Sequence, residues 1–109
     1  MDSVIHLYPD ANAHEVMLIS NDADAISAAV DAVKTMKSVQ EVESVSFSAA
    51  PRMAPENYRD PDQNQGTFRY RLHIDNAVSF DDVFLNLLHD GIQEKLNTRG
   101  LHSEVVLNA

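Results

Sequence analysis

The sequence predicts an α+β fold with two helices on one face of an antiparallel sheet, and three observations carry that expectation. Residues 67–75, TFRYRLHID, alternate apolar and polar side chains with the period of a half-buried strand. Two longer segments, 20–37 and 79–100, place apolar residues at helical spacing between start and stop signals. The remaining apolar runs are short and bounded by turn residues, as strands are. At 109 residues the chain fits one domain, 1–109, with room for a core that needs neither disulfides nor a structural metal.

Taken in order, SVIHLY (3–8) reads as a short strand and PDANAH as turn chemistry, together an N-terminal strand and turn over 1–14. EVMLIS (15–20) follows, an unbroken apolar run suited to a strand buried on both faces and placed to form a hairpin with the first. The first helix opens on the capping residues Ser20, Asn21 and Asp22, has Asp24 in its first turn and closes near Lys34 and Lys37, as the helix dipole prefers. Ile26, Ala29, Val30, Val33 and Met36 form its apolar stripe. EVESVSFSA (41–49) is expected as a strand with Val45 and Phe47 inward and Val42 pointing the other way. Residues 50–66, rich in proline and polar side chains, form a long loop that is either functional or mobile.

In the strand at 67–75, Phe68, Tyr70, Leu72 and Ile74 share one face and Arg69, Arg71 and His73 the other. The second helix begins near a Ser79 to Asp82 spacing close to a capping box and ends at Gly100, a residue suited to a left-handed cap. LHSEVVLN (101–108) closes the chain as a strand. The last six elements match the β-α-β-β-α-β unit, so the expected architecture is a ferredoxin-like α/β plait with an extra N-terminal strand. Strand order in that unit is 4-1-3-2, and the sheet face away from the helices is open. The extra strand would extend an edge or cross to another subunit.

Composition excludes several function classes. The absence of cysteine removes disulfides, thiolate nucleophiles and thiolate metal sites. A net charge of -9 repels phosphate backbones and anionic lipid surfaces, so neither direct nucleic-acid nor membrane binding is expected. The stretch GTFRYRLHI also departs from the aromatic strand pattern of RNA-recognition domains, because exposing Phe68 and Tyr70 would drive Arg69, Arg71 and His73 into the core. The N-terminus lacks a signal-peptide pattern and no apolar run approaches the roughly 20 residues of a bilayer span, which points to a soluble, cytoplasmic protein. No phosphate-binding glycine loop, zinc-protease motif or nucleophile elbow occurs, and no cofactor is expected. His73 with Asp75, and His102 with Glu104, have same-face spacing for metal ligands. Their strands are separated by another in the plait, and surface histidines are the default reading.

Three candidate sites remain. Arg69, Arg71 and His73 line the open sheet face, either balanced by Glu41, Glu43 or Glu104 on neighbouring strands or free to bind a carboxylate, a phosphate or an acidic partner. The apolar residues of the second helix, Phe80, Val83, Phe84, Leu85, Leu87, Leu88, Ile92 and Leu96, spread over roughly 220°, about twice an ordinary stripe. Either the N-terminal strand or the loop covers the excess, or Leu85, Ile92 and Leu96 form an interface with His89 as a pH-sensitive neighbour. The loop supplies Arg52, Met53, Tyr58 and Arg59, types that serve as interface anchors. The leading expectation is a non-catalytic, acidic module that binds another protein and forms a homodimer. It is comparable in size and charge to inhibitors of the anti-defence or immunity type. The competing expectation is a small-molecule sensor or small plait-type enzyme on the open face around Arg69, Arg71 and His73.

Overall fold

A computed structural model describes residues 3–45 and 68–108. In chain order the elements are β1 (Ser3–Asp10), β2 (Glu15–Ser20), α1 (Ala23–Lys34), β3 (Val39–Ser44), β4 (Phe68–Ile74), α2 (Asp82–Thr98) and β5 (Ser103–Leu107). The five strands form one sheet in the order β3-β4-β2-β1-β5. Three of its pairings are antiparallel, and β1 with β5 is parallel, so the sheet is mixed.

β1 and β2 do form a hairpin, with Leu7 opposite Leu18. Its turn places His14 at φ 58°, a left-handed conformation that histidine tolerates better than most residues. Four contacts offset the strain. The His14 amide donates to Ala11 O at 3.3 Å. Its Nε2 donates to the carbonyls of Asp75 and Val78 at 3.0 and 3.1 Å. The ring lies against Phe80 with centroids 5.2 Å apart.

That hairpin also changes the expected strand order. The N-terminal strand neither extends an edge nor leaves the subunit: it occupies the flank of β2 where the last strand of a plait would pair. β5 therefore pairs with β1, Val105 opposite Ile5, instead of with β2. A tight hairpin connection sets β1 directly beside β2, which leaves the outer edge of β1 for the strand returning from α2.

Inward-facing Ile5, Leu7, Val16, Leu18, Leu72, Ile74 and Val105 form one core with Ala25, Ala29 and Val33 of α1 and Phe84, Leu88, Ile92 and Leu96 of α2. β2 is buried on this side alone, because Val16 and Leu18 are inaccessible while Met17 and Ile19 are half-exposed on the opposite face. The strand expected from its apolar run to be covered on both sides is thus one-sided. β3 also differs from expectation: Val42 sits opposite Leu72 and packs toward the core, and a bulge between Val39 and Glu41 resets the register. Phe47, and the loop residues Arg52, Met53, Tyr58 and Arg59, lie outside the described residues.

Both helices are capped as their sequences require. Asp22 accepts from the amides of Asp24 and Ala25 at 3.0 and 3.1 Å. The Ala25 amide and the Ser3 hydroxyl hold its carboxyl below the usual aspartate range. α2 is capped by Asp81, whose side chain accepts from Phe84 N at 3.0 Å, two residues beyond the Ser79 expected to begin it. At its C-terminus Gly100 adopts φ 72° and donates to Asn97 O, while Leu101 N donates to Leu96 O, the paired bonds of a Schellman cap. At Gly91 an added Cβ would stand 2.5 Å from the terminal methyl of Met36, which follows α1. Arg99 pairs with Asp31 at 2.6 Å across the same junction, and this guanidinium holds the Asp31 carboxyl below its ordinary range.

Candidate functional site

The open sheet face carries the basic residues of β4, and the pairing of its neighbours decides how free they are. β2 sets Glu15 opposite His73, and β3 sets Glu41 opposite His73 and Glu43 opposite Arg71. Side chains opposite one another on one face stand close enough to interact. Arg71 Nε lies 3.5 Å from Glu15 Oε1, and its Nη1 is 3.5 Å from Glu43 Oε1. His73 Nδ1 is 3.3 Å from Glu15 Oε2, and its Nε2 is 2.9 Å from Glu43 Oε1. Both ring nitrogens thus face carboxylate oxygens, and the shorter contact, Nε2 with Glu43, is a hydrogen bond. The His73 contact, with Arg71 nearby, holds the Glu43 carboxyl below its ordinary range.

Arg71 and His73 are therefore the middle of a cross-strand network tying β2, β4 and β3. In this arrangement each ring nitrogen of His73 faces a glutamate, and the Arg71 fork faces the same two acids. Arg69, on the same face, is only 6% exposed, and so offers little surface to a ligand from solution. The remainder of the open face is mixed. His6 and Tyr8 stack with centroids 6.0 Å apart, and half-exposed Met17 and Ile19 lie on the adjacent strand. Phe68 and Tyr70 pack against the helix side, where the alternation of β4 places them.

The outer side of α2 offers a different surface. Ile92 and Leu96, expected at an interface, are fully buried in the core, and Leu85 packs partly against it. The broad apolar arc is resolved instead by leaving Val83 and Leu87 outside, 69% and 66% exposed. They stand one helical turn apart, with exposed Asp82, Asp90 and Glu94 around them. His89 does not border this pair as a free side chain: its Nε2 donates to Val105 O at 2.9 Å, and its Nδ1 is 2.9 Å from Asp90 Oδ1.

A surface hollow of roughly 270 Å³ lies where α2 passes into β5, lined by Asn97, Leu101, His102, Ser103 and Glu104, away from Arg71 and His73. Among the described residues no group of three or more side chains is placed to hold a metal ion, and no helix is long and apolar enough to cross a membrane.

No protein-family model, curated protein or solved structure matches this chain.

Proposed function

We propose that this chain is a non-catalytic, acidic protein-binding module, acting in the cytoplasm, whose outer α2 face docks on a partner. The partner would carry an apolar groove rimmed by basic side chains, and the module would act as an inhibitor that masks such a surface. The observation that carries this reading is the exposure of Val83 and Leu87 one turn apart among Asp82, Asp90 and Glu94. Two aliphatic side chains gain by leaving water on contact, and the surrounding acids, on a chain of net charge -9, steer toward a basic surface and away from an acidic one. In architecture we read the fold as a plait-like unit widened by one inserted strand.

The competing reading, a ligand site or enzyme at Arg69, Arg71 and His73, loses ground because Glu15 and Glu43 already occupy Arg71 and His73. Homodimerisation keeps a narrower basis than the apolar arc suggested, since Ile92 and Leu96 lie inside and a second copy would bring like charges to the same face. A photo-crosslinking residue placed at position 87, and separately at position 71, tests the assignment in cells of the source organism. The proposal expects an adduct with a basic protein from position 87 alone. An adduct from position 71 alone would move the site to the sheet, and an adduct between two copies from position 87 would replace the partner with a homodimer.

A further inference from the structure

β5 ends the sheet on one side, and an edge strand presents a row of backbone donors and acceptors that can template another strand. Here part of that row is already filled. The even-numbered residues turn their backbone groups toward β1, as when Ser3 N donates to His102 O and Asn108 N donates to Leu7 O. The odd-numbered residues turn theirs outward, and α2 meets them with side chains. Gln93 Nε2 donates to Ser103 O at 2.9 Å, Gln93 Oε1 accepts from Val105 N at 3.1 Å, and His89 Nε2 donates to Val105 O at 2.9 Å. A carboxamide offers N–H donors and a carbonyl acceptor side by side, so one side chain meets both a carbonyl and an amide of β5 as the backbone of a neighbouring strand would.

We propose that Gln93 and His89 form a latch that closes the β5 edge, and that β5 with the latch displaced takes up β5 from a second copy of this chain as an antiparallel strand. Both latch residues are half-exposed, so water or another backbone competes for the same bonds. A second copy suits this edge because a two-fold centred on Val105 pairs Ser103 with Leu107 and Glu104 with Val106 of the other chain. No acid then faces an acid, although each chain carries a net charge of -9. The pairing also keeps Ser103 and Val105 on the core side and Glu104 on the open side.

Sedimentation velocity at several concentrations tests the latch in the full chain, with circular dichroism reporting the fold. The double variant H89A/Q93A is expected to shift to a faster-sedimenting dimer at concentrations where the wild type does not. Adding V106E, which sets a second acid opposite Glu104, is expected to abolish that shift, and adding V106K to strengthen it. A folded H89A/Q93A chain that sediments as the wild type does, or a dimer indifferent to position 106, overturns the proposal. Should the double variant lose its fold, Q93M keeps the helix and side-chain length while removing both carboxamide bonds to β5. Hydrogen exchange at the Val105 amide is then expected to accelerate, and unchanged exchange overturns the latch.

Discussion

Replacing Ile92 and Leu87 separately by alanine distinguishes the core side of α2 from its docking side. Ile92 is fully buried and Leu87 is 66% exposed, although both belong to the same apolar arc in sequence. Truncating a buried isoleucine removes its transfer free energy and leaves a cavity, for a loss of about 3 kcal/mol within the usual range for such sites. Leu87 has about a third of its surface covered, so truncation forfeits about a third of the ~2 kcal/mol a fully buried leucine contributes, and the better helix propensity of alanine returns part of that. I92A should therefore cost several times more than L87A. For a domain of this size the first loss lowers the melting temperature by on the order of 10 °C and the second by only a few degrees. Urea unfolding followed by circular dichroism gives both values, and equal denaturant slopes would show that the comparison is between like states. Equal losses for I92A and L87A would refute the reasoning, because Leu87 would then have to be covered in the protein as it exists in solution.

Other substitutions test separate parts of the structure. G100A should cost about 1 kcal/mol through backbone strain alone, since Gly100 has φ 72° and nothing stands within 4 Å of an added Cβ; an unchanged urea midpoint would argue against the left-handed cap. D22A should lose about 1 kcal/mol and D22N distinctly less, because asparagine still accepts from the amides of Asp24 and Ala25. Equal losses in urea melts would show that the hydrogen bonds are not what the cap supplies. For Glu43 the sign follows from its lowered folded value: the stabilising contribution is complete above the ordinary carboxylate range and is lost as pH falls through that lowered value. The stability difference between wild type and E43Q should accordingly close on acidification, and a difference independent of pH would contradict the His73 contact as its cause.

The parts of the fold legible in the sequence were those set by local pattern. β4 shows its alternation because one of its faces packs on the core and the other does not, and that alternation put Phe68 and Tyr70 on the helix side. Gly100 was legible for the same local reason, a left-handed backbone that glycine adopts freely. What local pattern does not carry is the choice among partners. SVIHLY looks the same as an edge strand or an inserted one, and its place between β2 and β5 is decided by the hairpin's claim on the neighbouring position. The arc of α2 likewise gives the amount of apolar surface and not which third of it meets the sheet. The exposed acids Asp82, Asp90 and Glu94 interleaved with Val83 and Leu87 were the signal that could have separated those two from Ile92 and Leu96. At β4 the two arginines and His73 were readable, but Glu15 reaches Arg71 and His73 only through a strand pairing across the sheet. The roles of Gln93 and His89 depend wholly on the path by which β5 returns past α2.

The most direct test compares what wild type, V83S/L87S and R71A/H73A retain from a lysate of the source organism at several salt concentrations. If the outer face of α2 is the docking surface, a basic protein is held by wild type and by R71A/H73A, is released as salt rises, and is absent from V83S/L87S. Retention by V83S/L87S together with loss from R71A/H73A would contradict this and place the site on the open sheet.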